Sequence, residues 1–91
     1  MIARRLVIRG RVQGVGYRYA MIAAAEARDV AGWVRNRRDG SVDALVQGAP
    51  AAVESIVGWC RRGPADAEVT AVEVVEAAVE PHAVFATRPT A

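Results

Sequence analysis

The sequence contains no lysine, so all of its 12 basic residues are arginines. Schiff-base chemistry and a phosphate-binding loop of the GK[ST] type both require lysine and are therefore excluded. One histidine, His82, and one cysteine, Cys60, can form neither a zinc site from protein ligands alone nor a disulfide. The only serines, Ser41 and Ser55, lie outside any nucleophile-elbow motif, which argues against a serine hydrolase. Any catalysis must use arginine, side-chain amide, carboxylate or backbone groups.

Long apolar runs are also missing, and the N-terminus shows no signal-peptide pattern. Together with the single thiol, this predicts a cytoplasmic protein without a membrane partner. The 91 residues are 53% apolar and 24% charged, which is typical of one globular domain spanning residues 1–91. A chain of this size has room for one core and one shallow site. A two-domain enzyme that closes over a large cofactor is excluded.

Charge is unevenly distributed along the chain, although the formal net charge is only +2. Residues 1–25 contain five arginines and no acidic residue, whereas residues 63–80 contain five acidic residues and no basic one. Most of these charges are explained as solvated faces of opposite sign. The basic first quarter nevertheless favours an anionic partner.

Hydrophobic periodicity and turn residues predict two helices and five strands. The strands are 3–9, 30–37, 42–47, 68–77 and a short one at 83–88, and the helices are 17–28 and Pro50–Arg62. Asp29 is expected to end the first helix, because Asp tolerates the left-handed conformation. The order β-α-β-β-α-β plus a short extra edge strand predicts an α+β, ferredoxin-like sandwich. In that fold both helices cover one face of an antiparallel sheet.

The hairpin formed by the second and third strands has two possible registers. A two-residue loop would place Arg37 opposite Val42. A three-residue loop, residues 38–40, would place Arg35 opposite Asp43 and leave Gly40 left-handed. The second register is favoured because it gives one apolar face, and one-sided burial fixes register. That face consists of Gly32, Val34, Asn36, Val42, Ala44 and Val46.

Two of the rare residues are explained without a function. Cys60 shares one face of the second helix with Val53, Ile56 and Val57, so we expect a buried apolar thiol. His82 follows Pro81 in a turn, and we expect it to face solvent.

The connection from the first strand to the first helix contains three glycines, in the run from Gly10 to Gly16. A helix start presents unpaired N–H groups and the positive end of the helix dipole, which together favour an anion. Arg18 lies in the first helical turn, where a cation costs roughly 0.3–1 kcal/mol. Arg11 adds to the same positive field. We interpret this cluster as an anion cradle.

Topology brings Asn36 to the same place. The first helix descends about 16 Å from Arg18, and the second strand climbs back about 17 Å to Asn36. The second strand then runs parallel to the first strand, and the helix between them forms a right-handed crossover. In the favoured register Asn36 faces the helices, where a polar side chain needs a partner. Capping of a nearby backbone group is the common explanation, but the coincidence with Arg18 favours a function.

These residues are also where the sequence resembles a known family. The segment GRVQGVGYR, followed by GWVRNRRDGSVDALVQG, is similar to acylphosphatase, and the resemblance covers nearly the whole chain. It implies that Arg18 binds phosphate and that Asn36 orients the attacking water. It further implies hydrolysis of small acyl phosphates without metal or cofactor. A single sheet domain gives no reason to need a partner chain, so we expect a monomer. The implied cradle consists of the backbone amides of Gln13, Gly14, Val15, Gly16, Tyr17 and Arg18.

The sequence departs from the family pattern in two places. Asp29 stands where a glycine is common, which affects a helix end and not the site. The chain closes on Arg88-Pro89-Thr90-Ala91 instead of an aromatic residue after a strand arginine, which leaves the length of the last strand open.

Two other functions fit parts of the pattern. A nucleic-acid-binding module of the same fold would stack bases on exposed aromatic residues. The five aromatic residues here form no such run, the acidic fourth strand would repel phosphate, and no nucleic-acid partner is expected. A catalytically silent anion-binding module would share the glycine loop, so only turnover separates it from the enzyme.

Overall fold

The computed structural model describes the whole chain, residues 1–91. Five strands and two helices follow one another in the predicted order. They are β1 (Ile2–Arg11), α1 (Tyr17–Glu26), β2 (Ala31–Asn36), β3 (Val42–Gly48), α2 (Pro50–Arg62), β4 (Glu68–Ala77) and β5 (Phe85–Thr87).

The strands form one sheet in the order β4-β1-β3-β2-β5. Strand β3 pairs antiparallel with both β1 and β2, and β4 pairs antiparallel with the other side of β1. Strands β1 and β2 are therefore parallel, with β3 between them. Both end near the start of α1, which confirms the ferredoxin-like arrangement and positions the glycine loop beside the end of β2.

The helices cover one face of the sheet and bury the main core. This core contains 16 buried residues, among them Leu6, Ile8, Val34 and Val46 from the strands and Ile56 from α2. The opposite face carries only a small apolar cluster of Ala3, Trp33 and Leu45. No helix is long and apolar enough to cross a membrane.

The predicted hairpin register is correct. Arg35 lies opposite Asp43, Val34 lies opposite Ala44, and the Arg37 N–H donates to the Ser41 carbonyl across the loop. The left-handed conformation predicted for Asp29 after α1 is also confirmed, since its φ is 55°. The helix itself stops at Glu26, two residues before the predicted end, and continues as a turn.

Two details near the C-terminus differ from expectation. The short strand β5 pairs parallel with β2, so the sheet is mixed. Pairing along this edge continues past Pro89, because Arg88 N–H donates to Val34 and Ala91 N–H donates to the Asn36 carbonyl. The expectation of a solvent-facing His82 is wrong: its side chain is only 19% exposed, and its Nε2 lies 2.7 Å from the Glu80 carboxylate.

The backbone around Gly32 in β2 leaves no room for a side chain. Its φ is +134°, and a Cβ at this position would lie 1.9 Å from the backbone oxygen of Leu45. Backbone atoms of a central strand cannot move aside without breaking the ladder. Only glycine therefore fits this position of the strand that carries Asn36.

We expect Gly32→Ala to lower the free energy of unfolding by about 3 kcal/mol or more, because the clash is with backbone. Gly40→Ala is the matched control, since Gly40 also has a positive φ but its Cβ would meet nothing within 4 Å. That control should cost only about 1–2 kcal/mol of backbone strain. Urea denaturation of the three proteins measures both values, and equal losses would disprove the crowding at Gly32.

Candidate active site

The loop between β1 and α1 turns through two left-handed glycines. Gly14 has φ of 72° and Gly16 has φ of 78°, and a Cβ at either position would meet nothing within 4 Å. Left-handed residues alternating with ordinary ones turn successive N–H groups towards a common concave side. The loop therefore leaves an open, backbone-lined hollow at the start of α1.

The N–H groups of residues 13–19 donate no hydrogen bond within the protein. The first bond of this region is from Ala20 N–H to the Gly16 carbonyl. Helix α1 has no side-chain N-cap and no acidic residue in its first turn. Unpaired donors and the positive end of the helix dipole therefore coincide here, as an anion site requires.

Arg18 places a permanent positive charge in the same turn. Its half-buried guanidinium makes no hydrogen bond or ion pair with any other group of the protein. A guanidinium has five N–H donors in a planar fork that matches the geometry of phosphate and carboxylate. The positive end of the helix dipole is unfavourable for this charge in the free protein. An anion bound between the loop and the side chain would interact favourably with both.

Asn36, at the end of β2, lies across the hollow from Arg18. Both line one cavity of about 110 Å³. The Asn36 Oδ1 is buried and accepts no hydrogen bond from the protein. Because a buried unpartnered acceptor costs free energy, this oxygen is a strong acceptor site for a bound donor. The other lining residues are Val12, Gln13, Gly14, Gly16, Tyr17 and Tyr19.

The side chain of Gln13 joins the loop to the hairpin that follows Asn36. Its Nε2 donates to the Arg37 carbonyl at 2.7 Å and to the Ser41 carbonyl at 2.9 Å. The sequence reasoning assigned only the backbone amide of Gln13 and missed this side chain. A glutamine inside a glycine-rich loop, where few side chains exist to hold the backbone, is the signal from which it could have been found.

Tyr17 fixes the start of α1 against α2. Its hydroxyl donates to the Cys60 carbonyl at 2.7 Å, and its ring packs on Trp59 with centroids 5.5 Å apart. Burial raises the pKa of the Cys60 thiol to about 12, so the thiol stays neutral at physiological pH. Burial also raises the pKa of Tyr17 far above its ordinary value. Both groups therefore act as neutral packing and anchoring groups.

Not every residue of the sequence prediction reaches the cavity. Arg11 is exposed and donates to the Asp66 carbonyl at 2.9 Å instead. The Val15 side chain packs against the core, and Val15 does not line the cavity, although its N–H belongs to the unpaired series. No three His, Cys, Asp or Glu side chains cluster in a way that could hold a metal ion.

Comparison with known proteins gives a consistent result. The acylphosphatase family model matches residues 4–87. An acylphosphatase of Nitrobacter hamburgensis is 58% identical over 72 residues, covering 79% of this chain and 73% of that protein. One of Acidiphilium cryptum is 52% identical, covering 91% and 89%. The crystal structure of the Bacillus subtilis acylphosphatase superposes with a TM-score of 0.93 at 39% identity, covering 97% of this chain and 99% of that one.

We expect Gln13→Ala to weaken binding of inorganic phosphate by roughly tenfold, because two hydrogen bonds that hold the loop are lost. In Gln13→Glu the ionised carboxylate would face two carbonyl oxygens, so the affinity should fall further. Protonation restores one donor, and affinity relative to wild type should recover as the pH falls through the pKa of this carboxyl, which the two carbonyl oxygens raise above its ordinary value. Calorimetric titration at several pH values measures this.

Gln47→Ala is the matched control. Gln47 is a buried glutamine that also binds main chain, donating to the Glu80 carbonyl at 2.6 Å, but far from the cavity. The Gln47→Ala variant should lower the free energy of unfolding and leave phosphate affinity unchanged. Equal loss of phosphate affinity in both alanine variants would show that Gln13 acts only through stability.

Proposed function

Because the chain belongs to the acylphosphatase family, we propose that Arg18 and Asn36 are its catalytic residues. The chain is an acylphosphatase, an enzyme that hydrolyses small acyl phosphates to a carboxylate and inorganic phosphate. The observation that supports this assignment is the unpaired series of N–H groups at residues 13–19 beside a free guanidinium and a free carboxamide oxygen.

In the proposed complex the cradle holds the phosphoryl group of the substrate. The backbone amides of residues 13–18 donate to its oxygens, and the Arg18 fork binds two of them. Negative charge spreads over these equatorial oxygens in the transition state, so donors already in position stabilise it without reorganisation. The cavity of about 110 Å³ is small, so the acyl group extends outside it.

Asn36 orients the nucleophile. Its Oδ1 accepts a hydrogen bond from a water molecule and aligns the water oxygen opposite the leaving group. That oxygen forms a bond to phosphorus while the bond from phosphorus to the carboxyl oxygen breaks, and the electron pair leaves with the carboxylate. A carboxamide is too weak a base to remove the proton of the water. A phosphoryl oxygen of the substrate takes it.

The chemistry of the substrate explains why no stronger acid or base is needed. A carboxylate is a stable leaving group that departs without protonation. Positioning and electrostatics therefore supply most of the rate. The residues proposed here supply both without a metal or a cofactor.

We further propose that residues 1–91 act as a single catalytic domain and that the enzyme is a cytoplasmic monomer. The single sheet and one main core complete the fold without a partner chain. No nucleic acid takes part in the proposed reaction. Light scattering during size-exclusion chromatography tests the monomer directly.

Arg18→Ala should reduce kcat/KM for benzoyl phosphate by about 10³-fold or more, because the lost donors act on transition-state charge. Arg18→Lys should remain strongly impaired, since one ammonium cannot replace the planar fork. Arg61→Ala removes an equal charge from an exposed position of α2 and serves as the control. Wild type assayed in EDTA should keep full activity. Loss of activity on chelation, or an active Arg18→Ala variant, contradicts the mechanism.

Asn36→Ala should lower kcat by about 10²-fold or more while leaving the inhibition constant of inorganic phosphate within about threefold. The reason is that Asn36 orients water and does not hold the phosphoryl group. Steady-state kinetics with phosphate as a competitive inhibitor separate the two effects. A large loss of phosphate affinity with normal kcat would remove Asn36 from this role.

A further inference from the structure

The sheet face opposite the helices carries a group of arginines around Trp33. The guanidinium carbons of Arg5, Arg35 and Arg88 lie 5.0, 4.8 and 4.7 Å from the centre of the Trp33 ring. Cation–π contacts of this kind hold guanidinium groups in fixed positions on an aromatic surface. These arginines are therefore ordered by the sheet and do not extend freely into solvent.

A buried carboxylate accounts for two of the arginines. The Asp43 side chain is 1% exposed and accepts hydrogen bonds from Arg5 at 2.8 Å and from Arg35 at 2.9 Å. A buried carboxylate needs such partners. Asp43 does not satisfy every donor of these arginines, because Arg5 Nε remains buried without a hydrogen-bond partner.

Next to this ion pair lies a hollow of about 360 Å³, lined by Arg5, Arg35, Arg37, Arg38, Asp39, Asp43 and Ala91. The side chains of Arg37 and Arg38 make no hydrogen bond or ion pair. Both carboxylates are already engaged, since Asp39 accepts from Ser41 at 2.6 Å and lies 3.8 Å from Arg9. The carbonyl oxygen of Ala91 accepts the Arg38 N–H.

Four guanidinium groups thus line this hollow with two aspartates and Ala91, so the cations outnumber the anions even when a terminal carboxylate is counted at Ala91. Such an excess of cations on one small surface is unfavourable unless an anion or solvent relieves it. We propose that the hollow is a second anion site, distinct from the catalytic cavity, and that it binds a phosphoryl dianion. Planar forks on adjacent positions of one strand end suit the tetrahedral oxygens of a phosphoryl group.

The second site shares no lining residue with the catalytic cavity. The two hollows lie at the same end of β2 but on opposite faces of the sheet, because Asn36 faces the helices and its neighbours Arg35 and Arg37 face the other way. The occupant is either free phosphate or a phosphate monoester, since both present the same group. The greater volume of this hollow admits a monoester as well as the free ion.

The test follows two sets of amide signals by NMR during titration with inorganic phosphate and, separately, with glycerol 2-phosphate. The amides of residues 13–18 report the catalytic cradle, and the Trp33 indole N–H with the amides of Arg37 and Arg38 reports the second site. We expect two saturable responses with different dissociation constants. Arg38→Gln should weaken the second response by roughly tenfold and leave the first unchanged. The probe with the lower dissociation constant at the second site shows whether its occupant is free phosphate or a phosphate monoester.

Arg61→Gln is the matched control, because it removes the same charge from the exposed end of α2. It should leave both responses intact. The site does not exist if the Trp33 region responds equally to chloride at the same ionic strength. The second site is also disproved if the Trp33 response has the same dissociation constant as the response of the cradle amides and disappears in Arg18→Ala. A cradle that fails to respond while the Trp33 region does would overturn the proposed function alone.

Discussion

The structure of the site depends on the two hydrogen bonds that the Gln13 side chain donates to the carbonyls of Arg37 and Ser41. The cradle belongs to the connection after β1, whereas Asn36 belongs to β2, and β3 separates these strands within the sheet. Packing of α1 sets their approximate separation, but only a direct bond fixes it to the accuracy that catalysis needs. The Gln13 side chain supplies that bond between the loop and the hairpin that follows Asn36.

The site violates local rules that the rest of the chain obeys. Seven consecutive residues, 13–19, leave their N–H groups unpaired, and α1 begins with a left-handed glycine and a nearby arginine instead of a capping side chain. Each choice lowers the stability of the free protein. The Tyr17 hydroxyl on the Cys60 carbonyl and the ring contact with Trp59 offset part of this cost directly at the helix start. Violations confined to one place, and supported there by packing, are typical of a functional site.

Local pattern was sufficient to predict much of this arrangement. The one-sided apolar face around Val34 fixed the hairpin register, and that register alone determined that Asn36 faces the helices. The glycine loop and Arg18 could be read as an anion site because helix ends have the same electrostatics in every fold. The contacts of Gln13, and of His82 with Glu80, join residues far apart in sequence or within irregular turns, where no periodicity exists. The parallel pairing of β5 likewise depends on which sheet edge is free, which is a property of the assembled sheet.

The small size of the cavity bears on how the proposed site would select its substrates. At about 110 Å³ it has the volume of roughly four water molecules, enough for a phosphoryl group and a nucleophile but for little of an acyl chain. Binding energy is therefore concentrated on the group common to all acyl phosphates, and the leaving carboxylate stays near solvent. Discrimination between acyl groups has to come from the exposed rim, where Tyr19 is 75% exposed beside the cavity. We therefore expect the proposed site to recognise the reacting bond and to tolerate different groups attached to the carboxyl carbon.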